Sequence, residues 1–236
     1  MKKTGKCRLC GEIKKLSFEH VPPESAYNSR PVFFQDSENL HNKSSYVYGK
    51  IKRSPRGAGG MYFCVSCNNN TGGWYANAYK EFAEIGMYVL KSTVYANKYM
   101  CAEYPIKPLN VLKQILIMFV ALESSGYLIK TPGLKEFLME PENNNLPENI
   151  RVFAYMTSTI KLRNALSFSN MDGYMRHFGE ISYTPFGFHI SIDTPPINKP
   201  YCEISNFSQF EYNEKAEIIL PLQYLIPKTY FPGVYK

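Results

Sequence analysis

Four cysteines arranged as two C-x-x-C pairs constrain this 236-residue chain more than any other feature. Cys7 and Cys10 form the first pair, Cys64 and Cys67 form the second, and 53 residues separate the pairs. Two thiols can converge from one tight turn in each pair, and Gly11 directly after the first pair suits such a turn. Four thiolates complete the tetrahedral coordination that zinc adopts in structural sites. The sequence therefore predicts a structural zinc site with four cysteine ligands, which would close a small, loop-rich N-terminal module.

The start of the chain and the other two cysteines argue against a disulfide framework. Residues 1–6 are basic and lead into a cysteine and an arginine rather than an apolar segment, so no signal peptide is visible and we expect a cytoplasmic protein. Disulfides are rare in that compartment. Cys101 and Cys202 stand alone, and we expect both to be small buried hydrophobic residues. The longest apolar run, Ile115–Leu122, is too short for a membrane span of about 20 residues.

The positive charge is concentrated at the N-terminal end. Residues 1–56 contain twelve Lys or Arg and five Asp or Glu, whereas the two signs balance in the rest of the chain. The whole net charge of +7 therefore lies in this segment. A local positive field suits a polyanion, because each neutralised phosphate releases condensed counterions. On charge alone, a solvated basic surface is the favoured interpretation.

Hydrophobic periodicity predicts helices in the middle of the chain and strands towards its end. We expect helices from Gly73 to about Met100, with Asn70 or Thr71 as a cap, then a buried helix over Leu109–Ser125 and a short one over Leu134–Met139. The polar stretch from Asp36 to Gly60 is typical of a long exposed loop or insertion. Helices followed by a run of strands indicate an α+β fold. The predicted strands are Arg151–Ile160, Ala165–Ser169, Ile181–Tyr183, Phe186–Ile192 and Glu217–Leu225.

Two short motifs accompany the cysteine pairs. The segment Glu19-His20-Val21-Pro22-Pro23 lies between the pairs, and Asn68 follows Cys67 directly, with Gly72 four residues further on. Each motif is a weak signal when taken alone. A single histidine is more often structural than catalytic, and Asn-rich stretches are usually turns.

Together and in this order, the motifs resemble the HNH endonucleases of the ββα-metal (His-Me finger) group. The family pattern is C-x-x-C, then [D/E/H]-H-x-x-P, then C-x-x-C-[H/N]-x-x-x-[H/G]. The Glu-His and Cys-Asn-x-x-x-Gly forms found here are similar to a zinc-knuckle subgroup in which the last metal ligand is Asn. The resemblance covers about 70 residues, under a third of the chain.

This resemblance, combined with the periodicity, predicts how the chain is organised. We expect an α+β protein with an N-terminal zinc-stapled ββα-metal HNH module over residues 1–75. Helices and then a mainly antiparallel β region would follow over residues 76–236, a domain whose role the sequence does not indicate. This second domain is neutral and apolar, and a homodimer through it is one interpretation.

The resemblance implies a role for each motif residue in cutting phosphodiester bonds. His20 would be the general base, because a neutral imidazole can take a proton from water near neutral pH. Glu19, on the other face of the same strand, and Asn68 would bind Mg²⁺ or Mn²⁺ through oxygen atoms. Many family members orient the base with an Asn about five positions before the third cysteine. That position is Gly59 here, and Asn39 is the candidate for the role instead.

The same resemblance gives the basic stretch a meaning. Its cations would contact phosphates, and Tyr46 and Tyr48 could stack on bases, although a solvated flexible loop is an equally good interpretation. The expected partner is nucleic acid, with DNA favoured over RNA. The cations concerned are Lys43, Lys50, Lys52, Arg53 and Arg56.

Two other interpretations stay open. A zinc-ribbon protein on a decayed HNH scaffold would bind nucleic acid or protein without cutting it. Alternatively, the C-terminal region is the functional part and the zinc module only staples a dimer. The joint presence of Glu19, His20 and Asn68 favours the enzyme, since a decayed site would be expected to lose at least one of them.

Overall fold

Strands lie at both ends of the chain and helices in its middle, so the fold is α+β, as predicted. The computed structural model describes residues 3–34, 42–92, 99–159, 163–171, 174–193, 201–228 and 235. The described α-helices are α1 (Val65–Thr71), α2 (Asn77–Ser92), α3 (Pro108–Leu122) and α4 (Leu134–Met139). The described strands are β1 (Thr4–Lys6), β2 (Ile13–His20), β3 (Val32–Phe34), β4 (Lys52–Ser54), β5 (Gly59–Cys64), β6 (Tyr99–Ile106), β7 (Ile150–Met156), β8 (Arg163–Met171), β9 (Tyr174–Tyr183), β10 (Phe186–Ile192), β11 (Cys202–Glu203) and β12 (Ala216–Gln223).

A small antiparallel sheet in the order β1-β2-β5 organises the N-terminal part. The turn between β1 and β2 carries the first cysteine pair, and Gly11 adopts a φ of +82° there, which costs a glycine little. The pairing of β2 with β5 shifts by one residue between Ser17 and Phe18. Such a β-bulge re-aims the side chains that follow it, which here are Glu19 and His20.

Helix α1 follows β5 directly and continues through a π-helical turn at Gly72–Ala76 into α2. The sequence prediction placed the start of this helix too late, at about Gly73. Asn-rich segments have low helix propensity and suggest a turn. The buried Cys67 and Thr71, four residues apart on one face, anchor α1 instead.

Helix α3 runs through the centre of the molecule, and every residue from Pro108 to Ala121 is buried. The predicted buried helix over 109–125 is therefore confirmed, with an earlier end, and α4 is confirmed over the predicted range. The five-stranded antiparallel sheet, in the order β11-β7-β10-β9-β8, contributes an apolar face to the same core as α3. Neighbouring residues along its strands project to opposite faces, so Ile190 belongs to the core and the adjacent His189 does not.

Strand β6 was not predicted, because Pro105 and Pro108 suggested an interruption. It pairs with β12 in a two-stranded sheet, where each strand has an open edge, and an edge tolerates a proline such as Pro105. The same alternation places Cys101 on the outer face of β6, where it is exposed. The expectation that Cys101 is buried is therefore wrong, and Cys202 is only half-buried.

One continuous apolar core joins the four-cysteine end to the rest, extending from Cys7 and Leu9 to Leu222. Arg8 also links the two parts, since its Nη1 donates a hydrogen bond of 2.5 Å to the carbonyl oxygen of Ala121 near the end of α3. The division at residues 75 and 76 stays a prediction. No helix in the ranges given above combines the length and apolar character that a membrane crossing requires.

Between β2 and β5, the chain leaves the small sheet and forms a separate two-stranded ribbon from β3 and β4. We call this pair of strands the β3–β4 ribbon. The stretch 36–60, predicted as an exposed loop, thus contains β4 and the first residues of β5. The rest of its described residues are mostly turns.

Candidate active site

The four cysteines of the two pairs converge on one point. Their sulfur atoms all lie within 4.8 Å of one another, and the Sγ atoms of Cys10 and Cys64 are 3.9 Å apart. A tetrahedral zinc ion with bonds of about 2.3 Å separates its sulfur ligands by roughly 3.8 Å. Among the described residues, this is the one group of three or more His, Cys, Asp or Glu side chains close enough to share a metal. The cluster could therefore hold a structural zinc ion.

The turn between β1 and β2 positions the first cysteine pair, and the junction of β5 with α1 positions the second. Cys7 and Cys10 lie in the turn between β1 and β2, where the Gly11 amide donates to the Cys7 carbonyl oxygen at 2.9 Å. Cys64 ends β5, and Cys67 lies in the first turn of α1. A hydrogen bond from the Cys67 thiol lowers the pKa of the Cys7 thiol well below its usual value. The same hydrogen bond raises the pKa of the Cys67 thiol, so within this pair the thiolate, the form that binds metals, is favoured at Cys7.

Glu19 is buried, with no polar partner for its carboxylate among the residues that the structure describes. Its side chain is 8% exposed, and neither a hydrogen bond nor an ion pair joins it to a described residue. Burial raises the pKa of this carboxyl group to about 8. A buried carboxylate without a partner is costly, and a bound cation would remove that cost. Glu19 therefore offers an oxygen donor to a cation.

Asn68 from α1 lies against β2, next to Glu19. Its Nδ2 donates to the carbonyl oxygen of Phe18 and to the hydroxyl of Ser17, both at 2.9 Å. A carbonyl oxygen only accepts, so the orientation of the amide is fixed. The Oδ1 atom then faces away from these two partners and has no hydrogen bond with a described residue. Asn68 thus contacts β2 at the two residues that precede Glu19, and its Oδ1 is a second oxygen donor.

His20, the last residue of β2, is held through one ring nitrogen. Its Nε2 lies 2.8 Å from the carbonyl oxygen of Arg56. Since that oxygen can only accept, Nε2 carries the proton and Nδ1 keeps its lone pair. The side chain is partly exposed, and the Phe18 ring packs against it edge-on at 4.9 Å between centroids. The arrangement leaves a basic nitrogen within reach of water.

The group that orients His20 is thus a backbone carbonyl rather than an asparagine. Asn39 lies outside the described residues, so the role predicted for it stays a prediction. Gly59 pairs with His20 across the strands. A Cβ atom at Gly59 would lie 2.1 Å from the carbonyl oxygen of Glu19, so this position admits only glycine.

Asn28 is a second positioning residue, and the sequence does not point to it. Its side chain is fully buried, and Nδ2 donates to the carbonyl oxygens of Pro22, at 2.6 Å, and Ala58, at 2.8 Å. Its Oδ1 accepts from the Ala58 amide at 2.7 Å. Asn28 therefore ties the chain just after His20 to the chain just before β5. In the sequence it is a single asparagine in an ordinary context, eight residues after His20.

Replacing Asn28 by alanine is expected to lower the free energy of unfolding by about 2–4 kcal/mol, because the buried Pro22 carbonyl and Ala58 amide lose this partner, while the Ala58 carbonyl keeps its hydrogen bond from the Val21 amide. Chemical denaturation of the full chain measures this change. The exposed Asn70 of α1 provides the matched control, and its replacement by alanine should leave stability within about 0.5 kcal/mol. Equal stability of the two variants would contradict the role assigned to Asn28.

The five predicted phosphate contacts, Lys43, Lys50, Lys52, Arg53 and Arg56, are all exposed. Arg56 is the one nearest the candidate site, since its backbone binds His20 and its guanidinium lies over the Phe18 ring at 5.5 Å. The Lys50 ammonium lies 4.8 Å from the centre of the Tyr46 ring.

Comparisons with known protein families, curated proteins and solved structures find no match to this chain.

Proposed function

We propose that this chain is a metal-dependent endonuclease of the HNH, or ββα-metal, type, which hydrolyses phosphodiester bonds in DNA. One observation carries the proposal: His20 is fixed through Nε2 beside the buried Glu19 on the same strand, and Asn68 lies against that strand from the following helix. Strands β2 and β5 with helix α1 would be the ββα unit, and the four-cysteine cluster would be its zinc staple.

In this proposal His20 is the general base. Its Nδ1 takes a proton from the attacking water, and the Arg56 carbonyl keeps the ring in position throughout. The same carbonyl then stabilises the positive charge on the ring, because it accepts a hydrogen bond from a charged donor. Asn28 acts one step further away, since it fixes the backbone on either side of this contact.

Glu19 and Asn68 would hold Mg²⁺ or Mn²⁺, because hard divalent cations prefer oxygen donors. The bound cation supplies charge stabilisation at the phosphate and at the leaving oxygen. The burial of Glu19 supports this assignment, since a largely buried carboxylate without a polar partner among the described residues is stabilised by a bound cation. The cysteine cluster suits a different ion, because four sulfur ligands leave no open position for a substrate.

Plasmid nicking tests the proposal. Wild-type protein with zinc bound should nick supercoiled DNA when Mg²⁺ or Mn²⁺ is added and not in buffer without them. Glu19→Gln, which keeps the shape of the side chain, should reduce the rate by about 100-fold or more. Glu84→Gln on the exposed side of α2 is the control and should cleave like the wild type.

Cleavage without an added cation, or an unchanged rate in Glu19→Gln, would contradict the proposed metal role. The alternative is a zinc-stapled binding module on a decayed scaffold. DNA binding with no cleavage by the wild-type protein under any of these conditions would favour it.

A further inference from the structure

The β3–β4 ribbon displays an aromatic ring and a cation on each of its two faces. Phe33 pairs with Arg53 and Phe34 pairs with Lys52. Residues directly opposite each other in an antiparallel pair project to the same face, and neighbours along a strand project to opposite faces. Phe33 is 72% exposed and Phe34 is 44% exposed, which is unusual for phenylalanine. Neither ring belongs to the apolar core of the described residues.

The segment between the two strands repeats this combination. Tyr46 is 89% exposed, and the Lys50 ammonium lies over its ring at 4.8 Å. Tyr48 and Ile51 are also exposed. Residues 42–60 contain five Lys or Arg and no Asp or Glu. Rings and cations therefore alternate over the described part of this insertion.

We propose that the β3–β4 ribbon, with Tyr46, binds single-stranded DNA. Exposed rings stack on unpaired bases, and the neighbouring cations contact the phosphates of the same strand. The inference rests on the proposed nuclease function and specifies its substrate as DNA with an unpaired segment.

A single strand explains the rings better than a duplex does. In a duplex the base faces are stacked on each other, and only base edges are accessible from the grooves. Phe33, Phe34 and Tyr46 have no polar edge-reading group apart from the tyrosine hydroxyl, but each offers a π face. The cations interrupt the apolar surface, whereas a membrane or an apolar protein partner requires a contiguous apolar patch.

The ribbon also leads directly to the candidate active site. Strand β4 ends at Ser54, and two residues later the Arg56 carbonyl binds His20. Two residues span at most about 7 Å of extended chain. A DNA strand whose bases stack on the ribbon therefore lies close to His20.

Fluorescence anisotropy on full-length His20→Ala protein tests the inference without cleavage. The probe is a labelled oligothymidylate of about 15 nucleotides, compared with a duplex of the same length, and we expect at least about ten-fold tighter binding to the single strand. Adding Phe33→Ala and Phe34→Ala should weaken single-strand binding by about five-fold or more, since each stacked ring contributes at least about five-fold and the two rings lie on opposite faces of the ribbon. The salt dependence of binding should stay unchanged in that variant.

The controls separate rings from charge and from folding. Tyr88→Ala removes a ring of the same 72% exposure from α2, and binding should be unchanged. Lys52→Gln with Arg53→Gln should lower the slope of log affinity against log salt concentration by about 1.4.

Equal affinity for the duplex, or unchanged binding after loss of both phenylalanines, would overturn the proposal. Binding to oligouridylate about ten-fold tighter than to oligothymidylate would overturn the assignment to DNA. Ring-dependent binding to anionic lipid vesicles, in a protein that binds no oligonucleotide, would overturn it in favour of a membrane. A protein that binds the single strand through the rings but cleaves neither the plasmid nor the single strand, with Mg²⁺ or Mn²⁺ present, supports the ribbon proposal and contradicts the nuclease.

Discussion

Removing zinc from the four-cysteine cluster is expected to unfold the N-terminal part of this protein. Structural zinc sites contribute about 10–16 kcal/mol of binding free energy in isolated zinc-binding peptides, which is as large as the total stability of a typical domain. Three of the four cysteines are buried. Without the ion, up to four thiols would share a site about 4.8 Å across.

The effect should extend beyond the small sheet. Cys7, Cys64 and Cys67 belong to the same apolar core as α3, and Arg8, inside the first cysteine pair, binds the end of α3. We therefore expect Cys67→Ser to lower the melting temperature of the whole chain by roughly 10 °C or more. Circular dichroism with and without a zinc chelator measures this, and a metal assay should find one zinc ion per wild-type chain.

Cys101→Ser is the matched control, because Cys101 is exposed on β6 and outside the cluster. It should retain zinc and melt like the wild type. Absence of zinc from the wild-type protein, or equal melting temperatures of the two serine variants, would contradict a structural role for the four-cysteine cluster.

Replacing His20 by alanine is expected to reduce DNA cleavage by about 100-fold to 10,000-fold, the range that a general base contributes. Protein stability should change little, because the ring is partly exposed and the hydrogen bond that it loses, to the Arg56 carbonyl, is exposed to solvent. The rate of plasmid nicking with Mg²⁺ or Mn²⁺ measures the loss. Zinc content and melting temperature, determined on the same samples, exclude unfolding as its cause.

Rescue of cleavage by added imidazole distinguishes a role of His20 in proton transfer from a purely structural role. Imidazole should partly restore cleavage in His20→Ala, because it can occupy the space beside Phe18 and accept the proton. Glu24→Gln is the control, since Glu24 lies 4.0 Å from His20 but is exposed, and its rate should change only a few-fold. Full activity of His20→Ala would exclude His20 as the base.

Features set by local sequence were predictable. The cysteine spacing predicted the four-thiol cluster, because two residues between cysteines suffice to bring two sulfurs together from one turn. Helix α4 and strand β10 were predicted over the ranges that they have in the structure, since periodicity and flanking turn residues define short, regular elements.

Contacts between distant segments were not predictable. Asn28 and the Arg56 carbonyl contact the residues around His20 only because the segment between β2 and β5 brings the chain back to the end of β2. His189 has no partner at a recognisable spacing in the sequence, yet strand register places it opposite Glu180, and Nε2 lies 3.4 Å from the Glu180 carboxylate in a buried polar group. A single sequence gives no signal for such pairings.

The contact between Asn28 and Gly57 has a consequence for how this protein can diversify. A Cβ at Gly57 would lie 2.0 Å from the Asn28 carbonyl oxygen, so the chain leaves and re-enters the small sheet at almost one point. The entropy of closing a loop grows only with the logarithm of its length. Residues 30–54 can therefore be lengthened, shortened or exchanged by selection while β2, β5 and the side chains of Glu19, His20 and Asn68 keep their places. Target choice and bond cleavage would then evolve as separable traits within one small fold.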